Sequence, residues 1–328
     1  MKVWVWRGFN DISIEERDTC DFTVTLFGKE KLGIVREDGS GDIWKPPSTS
    51  RDYLVPLLKS NLQKAIRRQL HVTCLRTTLQ LLIQTPLELL RRLPIIAIED
   101  VNVIECLDSI VWLMVWLATG NKLYIEDVEF ILNYVWDLSH HGTFYRPSKL
   151  VGPLEDLMDL KIKWWNNESN TSISLSLLVR MFYNGTDWDM RLLASFRNNN
   201  YSIVPRVPRD DYPNYRDIGE LEETDRLVVA ADFHCSNMVP YFGSKWNLST
   251  RGKYRLRELV WNHISSMNTR IPKRTKLPCV PMVGYTWNDF YALYEKHAGI
   301  EWSKSIPKKR RNLGCSIRKY LVKKKTVK

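Results

Sequence analysis

The run Asp232-Phe233-His234-Cys235-Ser236-Asn237 gathers a carboxylate, an imidazole, a thiol and an amide within six residues. It closes a predicted strand over residues 226–233, and strand ends and loops are where binding and catalytic groups concentrate. With His263 and Cys279 the segment offers the mixed donors that zinc accepts. Cys235 with His263 as base would instead form a nucleophile pair for a cysteine enzyme. Neither C-x-x-C nor H-x-x-x-H spacing accompanies these residues, so a satisfied strand terminus is the simpler expectation. Asp232, His234, Cys235 and His263 form the candidate polar site, with zinc as the one cofactor they would suit.

A second chemistry lies at residues 304–328, KSIPKKRRNLGCSIRKYLVKKKTVK, which hold eleven Lys/Arg and no acid. The chain has 48 basic and 37 acidic side chains, so the remaining residues carry 37 of each sign and sum to zero. Salt-sensitive affinity for polyanions is therefore expected from the tail, through Lys308, Lys309, Arg310, Arg311, Arg318, Lys319, Lys323, Lys324 and Lys325. The same Lys308–Arg311 run suits a nuclear import receptor. Nothing in it indicates sequence-specific base readout.

Other polar and aromatic groups have plainer roles. His140-His141 fits the negative end of a helix, and Glu99-Asp100 after Arg91-Arg92 fits ion pairing within a bundle. Trp112 and Trp116, four apart, read as core. Trp164-Trp165 beside Lys161 and Lys163 would suit base stacking if exposed.

The elements that would position these groups centre on residues 54–141, which read as four packed helices. Leu54, Leu58, Leu62, Ala65 and Ile66 line one side of the first, with Lys64 and Arg67 opposite. Thr85-Pro86-Leu87-Glu88 has a capping threonine, a proline at the first helical position and a glutamate that closes a capping box. Pro94 is expected to kink that helix or end it near Leu93. Asn102 with Glu105 repeats the capping logic for a helix that is apolar nearly all round and stops near Gly120. Its apolar run is shorter than the ~20 residues of a membrane span. The last helix has Glu126, Asp127 and Glu129 near its positive end.

LQKAIRR at residues 62–68, PLELLRRLPIIAIEDV at residues 86–101 and the helix that follows resemble the C-terminal helical region of the MgsA/RarA/Werner-interacting-protein family of clamp-loader-like AAA+ proteins. The resemblance covers residues 54–141 and implies a helical protein-contact or self-association module acting in DNA replication or maintenance. The family's glycine after the basic pair is Gln69 here. The family's ATPase loop, G-x-x-x-x-G-K-[ST], does not occur in the chain, so the resemblance carries the module without the ATPase.

Residues 1–35 favour strands at residues 3–6, 22–27 and 32–35, a small sheet or meander separated by Asn10-Asp11 and Gly28-Lys29 turns. A polar linker follows through Pro46-Pro47. Beyond Gly142, helices are expected near residues 154–165, 173–183, 188–196 and 252–267, with a loop over residues 198–213. The expected fold is α+β and predominantly α: a β unit and linker (1–50), the clamp-loader-like module (51–142), a mixed region (143–303) and the basic tail (304–328). Six scattered cysteines suit reduced thiols in an intracellular protein of nucleus or cytoplasm, neither secreted nor membrane-bound. These features point to a non-enzymatic nucleic-acid-associated accessory or scaffold protein. The alternatives are a virion-type structural protein, or a metal-dependent or cysteine enzyme around Asp232–Cys235.

Overall fold

Val3, Trp4, Val5 and Trp6 are all fully buried, as expected of a strand covered on both faces. The computed structural model describes residues 1–26, 30–39, 41–48, 52–53, 55–67, 69–141, 165, 171–198, 203–208, 212–222, 225, 239, 247–259 and 322–323. In chain order the elements are β1 (Lys2–Gly8), β2 (Asp11–Glu16), β3 (Phe22–Leu26), β4 (Glu30–Arg36), β5 (Asp52–Tyr53), α1 (Val55–Arg67), α2 (His71–Gln84) and α3 (Pro86–Ile96). A π-helical turn (Ala97–Val101), β6 (Val103–Ile104), α4 (Leu107–Ala118), α5 (Ile125–His141), α6 (Ser172–Phe182), α7 (Asp187–Asn198), β7 (Ile203–Val204), α8 (Thr250–Leu259) and β8 (Val322–Lys323) follow. The fold is α+β and mostly helical.

The chain forms two units, residues 1–47 with 81–218, and residues 48–80 with 219–328. In the first, the sheet order is β2-β1-β4-β3, with β1 parallel to β4 and both outer pairings antiparallel. It is not a meander, because β1 and β4 pair in parallel across the two strands between them in sequence. The strand of this sheet missed from the sequence is β2, DISIEE, whose Ile12/Ile14 alternation is masked by its acidic ends; the two-residue strands β5, β6, β7 and β8 were not expected either, β7 falling in the stretch read as a loop. One face of β1 packs on α4: the Trp112 indole N–H donates to the Trp4 carbonyl at 3.2 Å, and the Trp6 and Trp112 rings lie 4.7 Å apart. The other face gathers Val3, Val5 and Val35 with Cys20. Gly33 on β4 permits that closeness, since a Cβ there would fall 2.9 Å from Val3 Cγ2 and from Cys20 Cβ.

Residues 54–141 contain five α-helices, not four. α4 is buried all round, as its sequence requires, and ends ahead of Gly120 in the left-handed conformation (φ 92°). α5 begins with Glu126 and Asp127 and ends with the two histidines. Three local expectations are corrected. Thr85 precedes Pro86 at the start of α3, yet its side chain makes no capping hydrogen bond. Pro94 does not end α3; the helix continues to Ile96 and then widens into the π turn. Proline removes one N–H from the ladder, and π-type widening is a common way for a helix to absorb such a break. Asn102 is extended and ends the π turn, while α4 starts after Cys106, a non-glycine in the left-handed region (φ 67°), and β6 intervenes.

In the second unit, α1 buries Leu58, Leu62, Ala65 and Ile66 as predicted, whereas Lys64, expected on the solvent side, is only 7% exposed. Its aliphatic stem can line apolar surface beside the helix. Between α1 and α2, Gln69 is left-handed (φ 56°), and the Leu70 N–H reaches the Ala65 carbonyl at 3.0 Å. This closure usually recruits glycine. Asp225, 5% exposed, bonds to both helices of the pair. Its carboxylate accepts from the Thr73 hydroxyl (3.1 Å), Arg76 Nη1 (3.1 Å) and the Glu222 N–H (2.9 Å), and its carbonyl accepts from Asn61 Nδ2 (3.1 Å). β5 pairs antiparallel with β8.

Candidate functional site

A surface groove of about 730 Å³ runs along residues 41–47, lined by Ile43, Trp44, Pro47, Ile125 and Tyr215 together with Gly41, Asp42 and Lys45. Its floor is fixed by main-chain pairing. The Trp44 N–H donates to the Leu123 carbonyl and the Ile125 N–H to the Asp42 carbonyl, both at 2.9 Å, and Ile43 bridges antiparallel to Tyr124. Ile43 stays 48% exposed, because the short pairing turns its side chain outward. The lining is mainly apolar, with one charge of each sign, and suits an apolar or proline-bearing peptide segment rather than a polyanion.

The strip that forms this floor is held from beneath by Arg36. Its guanidinium meets the Asp127 carboxylate at two points, 2.9 and 3.0 Å, and Asp38 at 2.7 Å. It also lies 4.3 Å from the Tyr124 ring and within 6.0 Å of Trp6, Trp112 and Trp116, the geometry of cation–π attraction. Asp127 Oδ2 in turn accepts from the Tyr124 N–H at 2.8 Å. Burial works against the Arg36 charge, but its bonds to Asp127 and Asp38 outweigh burial and hold its pKa above the ordinary value. Burial is the largest influence on Asp127 and raises it, with Arg36 pulling the other way.

A second buried carboxylate, Asp137, accepts from Arg206 Nε (2.7 Å), the Val207 N–H (3.1 Å) and the Tyr212 hydroxyl (2.9 Å), tying Arg206, Val207 and Tyr212 to α5. Nearby, the Cys106 thiol donates to Asn10 Oδ1, and burial pushes its pKa up to about 11. Burial likewise raises Cys74 well above the ordinary thiol range. Both thiols are kept protonated, the opposite of what a nucleophile needs. Arg180 is 3% exposed and donates to the Arg91 and Asn184 carbonyls at 2.7 Å, and burial lowers its pKa to about 10.

Among the groups singled out from the sequence, Asp232, His234, Cys235, His263 and Cys279 lie outside the described residues. So do Lys308, Lys309, Arg310, Arg311, Arg318, Lys319, Lys324 and Lys325. Lys323 is described, as part of β8. Trp165 is 4% exposed, with its indole N–H donating to Glu30 at 2.9 Å and Lys2 Nζ 5.1 Å from its ring. It is a packing residue, not a stacking platform. Trp112 and Trp116 are core and stack 5.3 Å apart. Arg92 lies 3.9 Å from Glu99 and 3.3 Å from Asp189, and Arg91 pairs with Glu88 at 2.9 Å, so both arginines serve ion pairing, though only Arg92 reaches Glu99. His140 Nδ1 lies 2.9 Å from the Trp136 carbonyl at the end of α5, as a capping histidine would. The groove was missed because residues 37–41 and 46–50 read as a turn and a polar linker; its signal was the aromatic Trp44 close to two prolines.

Among the described residues, no helix is long and apolar enough to cross a membrane. The site and fold define a mainly helical α+β chain with an apolar surface groove. No known family model, curated protein or solved structure matches it.

Proposed function

We propose that the protein is a non-enzymatic, nucleic-acid-associated accessory or scaffold protein of the nucleus or cytoplasm. Its helical region makes protein contacts and its basic tail holds polyanion. The observation that carries this reading is charge segregation: eleven Lys/Arg and no acid in residues 304–328, against a remainder that sums to zero. One-sign charge at this density binds phosphate backbones with little regard to sequence. The resemblance of residues 54–141 to the clamp-loader-like helical module supports a setting in DNA replication or maintenance. The groove at residues 41–47 supports contact with a protein segment. In the core, Arg36, Asp127, Asp137 and Arg206 are engaged in ion pairs that join elements, which is structural work.

The test is fluorescence anisotropy of a labelled DNA duplex titrated with the full chain and with a chain lacking residues 304–328. The full chain is expected to bind and the shortened chain to lose most of its affinity. Equal affinity of the two would remove the basis of the proposal.

A further inference from the structure

The part of the chain outside the tail is neutral in sum but not everywhere. α8, TRGKYRLREL, holds four Lys/Arg and one acid, Glu258, in ten residues. Ser249 starts it, accepting the Gly252 N–H on its hydroxyl at 3.2 Å and the Lys253 N–H on its carbonyl at 2.9 Å. Gly252 is buried, with Leu248 close to where its Cβ would stand. Two positions further on and on the far side of the helix, Tyr254 is 63% exposed, the largest exposure among the big apolar and aromatic side chains described. At 100° per residue, Arg251, Tyr254, Arg257 and Lys253 fall on one arc of the outer side, and all four are exposed. Among the described residues, no hydrogen bond, ion pair or ring contact engages the side chains of Arg251, Lys253 or Tyr254.

We propose that this face of α8 is a contact for single-stranded nucleic acid, with Tyr254 stacking on a base and Arg251 and Lys253 lying along the phosphates. The proposal rests on the nucleic-acid reading above and adds to it a second element and a preference for unpaired strands. Cations alone would suit any acidic surface. An exposed tyrosine among cations adds a flat ring for an unstacked base, and such stacking tolerates any base because each has a π face. In a duplex those faces are occupied by neighbouring bases, so the ring has nothing to stack on.

The experiment uses the full chain and a labelled oligo-dT, with a DNA duplex and vesicles of anionic phospholipid as comparison ligands. Tyr254→Ala is expected to weaken oligo-dT binding roughly tenfold, from about 1–3 kcal/mol of stacking per base. It should leave duplex affinity and salt dependence unchanged, and Tyr254→Phe should bind as the unsubstituted chain does. Arg251→Ala with Lys253→Ala is expected to reduce the slope of log affinity against log salt on oligo-dT by about 1.4, at about 0.7 per phosphate contact. The Tyr254 side chain is exposed, so the thermal midpoint should stay where it was, which separates lost contact from lost fold. If the full chain binds oligo-dT and Tyr254→Ala binds it equally well, the α8 proposal fails and the tail reading stands. The α8 proposal also fails if Tyr254→Ala weakens only vesicle binding. If the full chain binds neither polynucleotide, both fail.

Discussion

Arg36 on β4 and Asp127 in the first turn of α5 form a two-point ion pair with side chains 5% and 0% exposed, roofed by Tyr124 4.3 Å away. The pair joins the N-terminal sheet to the helix whose start carries the groove floor. Removing Arg36 strands the buried Asp127 carboxylate with the Tyr124 N–H alone, which typically costs about 3–5 kcal/mol. Arg36→Met is expected to lose that much in urea unfolding, and Asp127→Ala less, because Arg36 keeps Asp38 as a partner. Arg36→Met combined with Asp127→Leu should lose clearly less than the two single changes added together. Additive losses would show that the two residues do not depend on each other.

At the other edge of the sheet, Arg7, Glu15, Arg17 and Glu37 form a surface network: Glu15 bonds Arg7 and Arg17, and Glu37 bonds Arg17 at 2.6 Å and Arg7 at 2.8 Å. The hydrogen bond from Arg7, then those from Ser13 and Arg17, lower the Glu15 pKa from about 4.5 to about 2. A carboxylate lowered by folding contributes stability above its unfolded value and loses it as pH falls through the folded one. The stability difference between the natural chain and Glu15→Gln is therefore expected to be constant near neutrality. It should shrink between about pH 4.5 and 2, as read by thermal unfolding across that range. A difference that widened on acidification would contradict the network.

Gln69 occupies a left-handed turn (φ 56°) that glycine adopts without a Cβ clash. Left-handed backbone costs a side-chain-bearing residue about 1–2 kcal/mol, partly offset by glycine's greater freedom when unfolded. Gln69→Gly should raise the denaturation midpoint by an amount equivalent to about 0.5–1 kcal/mol. A lower midpoint would mean that the side chain's own contacts outweigh the strain.

Much of this fold was legible in the sequence where a single physical rule decides. The all-apolar helix around Trp112 had to be central, and the Glu126-Asp127 start and His140-His141 end of α5 follow the helix dipole. Legibility failed where local signals compete with tertiary context. The Thr85 capping box is present in sequence but unused, and Pro94 sits inside a helix that packing holds together through a π turn. β2 was hidden by its acids. The groove was hidden by its linker-like prolines, since only pairing of residues 42–44 with residues 123–125 turns that segment into a surface.

Cys106 offers a check on the chemistry around α4. With burial raising its pKa from the ordinary 9.0 to about 11, its alkylation by iodoacetamide at pH 8 should run roughly a hundredfold slower than that of a free cysteine. Peptide-resolved mass spectrometry over time would read the rate. Fast modification near neutrality would show a thiolate and reopen cysteine chemistry at this position.

The most direct measurement is the salt dependence of duplex DNA binding, with the full chain and the chain lacking residues 304–328 titrated side by side at several salt concentrations. The expected result is a steep slope for the full chain, about 0.9 per phosphate engaged, and a shallow one once the eleven cations are gone. An undiminished slope without residues 304–328 would contradict the assignment of polyanion binding to the tail.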